Sequence, residues 1–250
     1  MCLTLDVFAP TGGGNGLGVI FCVSEGWWSD KRRVPEPLIR PFVDRGFTVF
    51  AVLHSSNPKF AITEILPDLH RAVRFVRHKA KGYRVDPDKL GIVGHSAGGH
   101  LALMQAFAPE HGDQAAADPV DREPSRVGMA AAFAAPTDFL NWGKDGVVNL
   151  GDPKLPGLYA PFQFPRLVRE TVSFEVERDE KKRLEIGRDI SPVSRATKAS
   201  PPVMLVHGAK DSTVPPQQAE RLAARLKELG VAREHVVKKD ANHSWPELDK

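Results

Sequence analysis

Cysteine is scarce: the 250 residues hold two, Cys2 and Cys22. A disulfide-stapled scaffold is excluded, and both thiols, set in apolar strand-like stretches, are expected to be buried and free. Long apolar runs are missing too. None approaches the roughly 18 residues of a membrane-spanning helix. Charge of one sign is not in excess, since 34 Lys and Arg against 31 Asp and Glu leave +3. The densest charged stretch, Glu175 to Arg188, mixes both signs and reads as a solvated helical face. A nucleic-acid surface is therefore not expected. No internal repeat or low-complexity linker is visible. Met1 is not followed by a basic and then apolar leader, which points to a cytoplasmic protein. No His/Cys/Asp cluster has metal-ligand spacing, so neither a metal nor another cofactor is expected.

What is there suits a globular chain able to bury a large core: 42% hydrophobic and 26% charged residues. Short apolar runs alternate with helical patterns. The runs Leu3–Phe8, Leu17–Val23, Phe47–Leu53, Lys89–Val93, Met129–Ala135, Val203–Val206 and His235–Lys239 read as strands. Several are continuously apolar, as strands covered on both faces of a parallel sheet must be. Leu66, Leu69, Val73, Val76 and Ala80 make one helical stripe, and Ala219, Leu222, Ala223, Leu226 and Leu229 another. Gly230 stands where the second helix should stop, and Gly46 closes a shorter helix over Leu38–Arg45. Alternating strands and helices predict an α/β fold with a mostly parallel, doubly wound sheet. The whole chain, 1–250, reads as one domain. Its irregular segment from about 141 to 198 is expected to form an insertion over the sheet or a set of long loops. Gly12–Gly16 joins the first two strands and reads as a flexible hairpin loop. It lacks the helix and the Lys-Ser/Thr of a phosphate cradle.

The sharpest motif is Gly94-His95-Ser96-Ala97-Gly98, set between a strand and the apolar helical run Leu101–Met104. A serine on such a turn projects its hydroxyl above the sheet edge. The flanking glycines are needed where a Cβ would clash, and the Ala97 N–H, at the helix start, points where an oxyanion would form. The bland alternative is a Gly-rich turn with a capping serine. A hydroxyl nucleophile needs a base, and the base an orienting acid. Asp211 follows the strand Val203–Val206 and His243 the strand His235–Lys239. Loops after parallel strands all emerge at one sheet edge, so Ser96, Asp211 and His243 should converge. Their order, Ser-Asp-His, is that of an α/β-hydrolase rather than of a chymotrypsin- or subtilisin-like protease.

From about Leu3 to Trp245 the chain resembles an α/β-hydrolase of the esterase/lipase superfamily. It is most similar to small carboxylesterases of the hormone-sensitive-lipase and feruloyl/acetyl-esterase kind. The matching stretches are Gly94–Gly98, Val203–Pro215 with Asp211, and Asn242-His243, supported by Asp68–Phe75 and Ala135–Asp138. The resemblance implies a serine hydrolase acting on a small-molecule ester, with no cofactor. It also implies a His-Gly-Gly-Gly-Trp segment after the second main strand, whose N–H groups complete the oxyanion hole. Here that place reads Val23-Ser24-Glu25-Gly26-Trp27. Backbone N–H groups survive substitution, so Ser24 or Glu25 is expected to serve beside Ala97, provided that the Glu25 carboxylate points away. The family usually adds a strand before Leu3 and often a helix after the base, so the chain reads as truncated, as given a misassigned start, or as a minimal version.

Other residues compete for these roles. Asp138 also follows a strand and competes with Asp211 as the acid; a structural or pocket role is expected of it. His95 and His100 flank the nucleophile and suit turn packing or substrate contact, and His207 suits a structural hydrogen bond. Trp27 and His95 are the substrate-contact candidates, and Trp28, Phe60, Trp142, Phe162 and Trp245 are further aromatics able to line a pocket or simply pack. Two alternative functions keep the fold. One is a peptidase or amidase of the prolyl-oligopeptidase kind; the other is a non-catalytic binding protein.

Overall fold

The computed structural model describes residues 3–57, 59–150, 165–168 and 170–244. Seven strands form one sheet: β1 (Leu5–Phe8), β2 (Gly18–Cys22), β3 (Thr48–Val52), β4 (Leu90–His95), β5 (Met129–Phe133), β8 (Val203–Gly208) and β9 (Arg233–Lys238). Their order across the sheet is β1-β3-β2-β4-β5-β8-β9. All neighbours run parallel except β1, which pairs antiparallel with β3, Leu5 opposite Val52. The mostly parallel sheet therefore agrees with the sequence reading. Gly12–Gly16 does not form a hairpin, however. The strand beside β1 is β3, not β2, so the loop must cross the end of β3. It is pinned there by the Asn15 N–H donating to the Gly46 carbonyl at 2.8 Å.

The pleat of β2 shows how one continuously apolar strand serves two cores. Val19 and Phe21 face one side and pack with Ile39 of α1 (Glu36–Val43). Ile20 and Cys22 face the other, against α2 (Ile62–Lys79) and α3 (Ala97–Phe107). Period-two alternation makes both faces apolar because helices cover both. The Cys22 thiol is free and buried, and burial pushes its pKa up to about 12; Cys2 lies outside the described residues. The stripe read on α2 is buried at Leu69, Val73 and Val76. The last long helix, α6 (Gln217–Glu228), buries Ala219, Leu222 and Leu226. Gly46 and Gly230 take φ of 86° and 72°, the left-handed region that favours glycine at a helix stop.

The segment 141–198 is more regular than expected. Its described part holds the antiparallel pair β6 (Pro165–Val168) and β7 (Ser173–Val176), then helices α4 (Glu180–Asp189) and α5 (Pro192–Arg195). α4 occupies the mixed-charge stretch, buries only Gly187 and is capped by Asp179, whose carboxylate accepts from the Lys181 and Lys182 N–H groups. Among the described residues no helix is long and apolar enough to cross a membrane.

Sheet order decides where a site forms. Successive strands step one way from β2 to β3, and the other way from β4 to β5. β2 and β4 are neighbours, and between their carboxyl ends the connections diverge and leave a crevice. Ser24 and Ser96 lie just beyond those two ends.

Candidate active site

Ser96 caps α3 with φ 53° and ψ −122°, a strained conformation for a residue with a Cβ. Neighbours hold it there. Its N–H donates to the Phe133 carbonyl of β5 at 2.7 Å. The glycines beside it permit backbone contacts that no other residue allows. A Cβ on Gly94 would sit 2.3 Å from the Gly98 carbonyl carbon, and one on Gly98 would sit 2.4 Å from the Cys22 oxygen. Strand β4, helix α3 and the end of β2 thus touch through backbone alone, which a strand-turn-helix serine requires.

The structure brings together the three residues that the sequence suggested would converge. The Ser96 hydroxyl donates to His243 Nε2 at 2.9 Å, and His243 Nδ1–H donates to Asp211 Oδ2 at 2.8 Å. Asp211 is fully enclosed. Burial alone would push its carboxyl pKa up, but the bonds from His207, His243 and the Val214 N–H outweigh it and hold the carboxyl well below its usual range. Its other oxygen accepts from the Thr213 and Val214 N–H groups at 2.9 and 2.8 Å. His207 Nε2 lies 3.0 Å from the Val214 carbonyl and 3.2 Å from Asp211 Oδ2. It is a structural hydrogen-bonder, as read, and the group that it steadies is the candidate acid. Asp138, the rival, is engaged elsewhere: Arg221 Nε donates to it at 2.9 Å, as do the Leu140 N–H and the Asn141 side chain.

Two parts of this frame lie in the matching stretches but carry no role in the sequence reading. Asn242 Oδ1 accepts from the Ser212 and His243 N–H groups at 3.0 and 2.8 Å, clamping the base loop to the acid loop. Gly208 lets the end of β8 meet the base loop, since a Cβ there would lie 2.4 Å from the Asn242 carbonyl oxygen. An Asn directly before the histidine was the available signal for the first. The second had no local signal.

His95 points its Nε2–H at the His243 carbonyl, 2.9 Å away, with the two rings 5.0 Å apart. Burial holds its pKa below the ordinary value, while the bond to the His243 carbonyl acts in the other direction. Its ring also borders a small cavity, about 60 Å³, lined by Ser24, Trp28, Arg33, Pro35, Leu38 and His95 among others. The Arg33 guanidinium lies 4.8 Å from the centre of the Trp28 ring.

The oxyanion segment requires two corrections. The Glu25 N–H donates to the Trp28 carbonyl at 2.9 Å, and Trp28 returns the bond to Glu25. The pair closes a two-residue turn with φ 54° at Gly26 and 62° at Trp27. The Glu25 N–H therefore has its acceptor and is not an oxyanion donor, while its carboxylate pairs outward with Arg33. Trp27, read as a substrate contact, is 1% exposed. The turn swings it into the core, where its Nε1–H donates to His100 Nδ1 at 2.9 Å, and Trp28 takes the cavity wall. His100 in turn donates from Nε2 to the Ile190 carbonyl at 2.7 Å, just after α4. The N–H groups of Ser24 and Ala97 have no hydrogen-bond acceptor among the described residues. Trp142 stacks on Phe139 with rings 6.1 Å apart, and Phe60 packs on the main core; Phe162 and Trp245 lie outside the described residues. Among those residues no group of three or more His, Cys, Asp or Glu side chains is placed to hold a metal ion.

A family profile described as BD-FAE matches residues 5–226. The probable carboxylic ester hydrolase LipM of Mycobacterium tuberculosis is 28% identical over 221 residues, 88% of this chain and 46% of LipM. Esterase LipQ of the same organism is 27% identical, over 88% of this chain and 48% of LipQ. The chain spans about half the length of the curated relatives it matches. Among solved structures, an acetyl ester-xyloside bifunctional hydrolase from Caldicellulosiruptor lactoaceticus superposes with a TM-score of 0.77 at 20% identity, covering 98% of this chain and 80% of that one. The propionate-bound esterase Est2 of Thermogutta terrifontis gives 0.71 at 23%, with the same two coverages. At these identities the structures speak for the fold alone, and the profile, spanning most of the chain, for the family: the protein has the α/β-hydrolase fold and belongs to the BD-FAE family.

Proposed function

We propose that the protein is a serine hydrolase of carboxylic esters, with a preference for short acyl groups. The observation that carries this is the hydrogen-bonded line Ser96–His243–Asp211 beside the Ala97 N–H, which has no acceptor among the described residues. Ser96 Oγ attacks the ester carbonyl carbon while His243 Nε2 takes its proton. The carbonyl π pair moves onto oxygen, where the Ala97 and Ser24 N–H groups receive it. Collapse of this intermediate expels the alkoxide, which takes the proton back from His243. Water, deprotonated by the same nitrogen, then adds to the acyl carbon; collapse breaks the bond to Ser96 Oγ, which takes the proton back from His243 as the carboxylic acid leaves. Asp211 keeps His243 in the tautomer that leaves Nε2 free to accept, and it steadies the imidazolium formed in each half.

Two further points support the reading. LipM and LipQ are named as ester hydrolases. Est2 has been captured with propionate and with butyrate, and phosphonylated by sarin. The test is turnover of p-nitrophenyl acetate, butyrate and octanoate by wild type and Ser96→Ala. Serine-dependent turnover that falls with chain length is the expected result. A folded Ser96→Ala variant with full activity overturns the assignment. Faster cleavage of a matched proline amide than of the ester replaces esterase by amidase.

A further inference from the structure

We propose that His95 is a positioning residue: its Nε2–H holds the His243 backbone carbonyl, and so keeps the base in place over the nucleophile turn once Ser96 carries an acyl group. The inference rests on the serine-esterase reading and deepens it, by assigning His95 to the second half of the reaction.

The base loop is fastened mainly to the acid loop. The Lys210 N–H donates to the Ala241 carbonyl at 2.9 Å, the Ser212 N–H to Asn242 Oδ1 at 3.0 Å, and His243 Nδ1–H to Asp211 Oδ2 at 2.8 Å. Lys210, Asp211 and Ser212 all follow β8, which β5 separates from β4. Among the described residues, two hydrogen bonds run between His243 and the nucleophile turn. One joins Ser96 Oγ to Nε2 at 2.9 Å; the other joins His95 Nε2 to the carbonyl, also at 2.9 Å. Adjacent residues thus grip the base by its ring and by its backbone. His95 can do so because it is itself anchored. It is the last residue of β4 and stands opposite Phe133 of β5, and the Ser96 N–H, bonded to the Phe133 carbonyl at 2.7 Å, fixes the chain just after it.

The two grips differ in what the reaction does to them. In the acyl-enzyme Ser96 Oγ is an ester oxygen. Its proton has left with the alcohol, so it no longer donates to His243 Nε2, and that nitrogen must instead take a proton from water. The bond from His95 involves no reacting atom and survives acylation. It then ties the base to the nucleophile turn at the step where His243 must be aligned with water rather than with Ser96. A misplacement of about 1 Å at such a step costs about 10²-fold in rate. Imidazole also donates without carrying a charge. That suits a ring centred 5.0 Å from one that becomes a cation in each half of the cycle, since like charges so close oppose each other.

The experiment compares wild type, His95→Leu, His95→Gln and Ser96→Ala on p-nitrophenyl acetate. It records kcat, kcat/KM, the pre-steady-state burst of p-nitrophenol and a melting curve for each. Leucine fills much of the same space without a donor, and glutamine returns an N–H near the position of Nε2. With this activated leaving group kcat/KM reports acylation and kcat reports deacylation. For His95→Leu, kcat should fall by about 10²-fold, with kcat/KM changed far less, KM lower in consequence, and a burst that accounts for the folded enzyme. His95→Gln recovers most of the loss in kcat. A packing role lowers kcat and kcat/KM together and gives no such burst. If His95→Leu does not fold, His95→Asn, whose amide stops short of the carbonyl, takes its place with the same expectation. Wild-type kcat in a folded His95→Leu beside an inert Ser96→Ala overturns the inference and leaves the esterase reading standing. An equal fall of kcat and kcat/KM, or a loss in kcat that His95→Gln does not recover, overturns it too. A folded wild type inert to esters and to a fluorophosphonate probe overturns both readings together.

Discussion

His100 offers a stability prediction that can be worked through from the structure. Its ring is fully buried between Trp27 and Phe139, with ring centres 5.4 and 5.3 Å away. It accepts from Trp27 and donates to Ile190, so both nitrogens are satisfied only in the neutral form. Burial lowers its pKa from 6.5 to about 4, and no counter-charge offsets the desolvation. The sign follows from proton linkage. Between pH 6.5 and about 4 the unfolded chain binds a proton at this residue that the folded chain does not. The contribution is fully present above pH 6.5 and is lost as the pH falls toward the folded value. From pH 7.5 to 4.5 the loss comes to about 2.5 kcal/mol, at about 1.4 kcal/mol per pKa unit. His100→Gln isolates it, because glutamine offers an acceptor and a donor but does not titrate. At pH 7.5 the variant should be less stable by about 1–3 kcal/mol, reflecting poorer hydrogen-bond geometry in a buried site. By pH 4.5 it should match or exceed wild type. Urea unfolding of both proteins across this range measures the difference directly. Other buried histidines, His54, His70 and His95, also have lowered pKa values and steepen both curves alike, so they cancel in the comparison. Parallel wild-type and variant curves would refute the reasoning.

Two further outcomes can be stated. Gly94→Ala places a Cβ within 2.6 Å of three backbone atoms of Gly98 and Gly99, so strand and helix must part. A loss of at least about 3 kcal/mol in urea unfolding is expected, at the upper end for overpacking. Gly12→Ala, with nothing within 4 Å, is the control and should be neutral or slightly stabilising. Asp211→Asn removes the acceptor that sets the His243 tautomer, so kcat should fall by about 10⁴-fold with the fold retained; a loss under tenfold would remove Asp211 from the proposed mechanism.

Much of the frame was legible because it is local. Short strand-like runs identified the seven main-sheet strands, and several of them, such as β2, are continuously apolar because both their faces are covered. Gly46 and Gly230 marked helix ends because a left-handed residue is a local requirement. The pair β6 and β7 escaped, being short and set in a stretch without a clear period. The partner of β1 escaped for another reason. Pairing is a property of the whole sheet, and a loop of glycines serves a hairpin and a crossover equally well.

The candidate site divides along the same line. Residue order and position after strands sufficed to nominate Ser96, Asp211 and His243, because parallel topology gathers every such loop at one edge. The direction of side chains in the Ser24–Trp28 segment was not available by the same means. Two successive positive φ values, at Gly26 and Trp27, reverse the chain there. They bury one tryptophan, bring the next to the cavity wall, and close the Glu25 N–H. Sequence alone determined the kind of fold and nominated the candidate reacting groups, since both follow from residue type and local period. The tertiary structure decided which N–H groups stay open and which histidine braces which loop, because each of these depends on contacts between segments far apart in the chain.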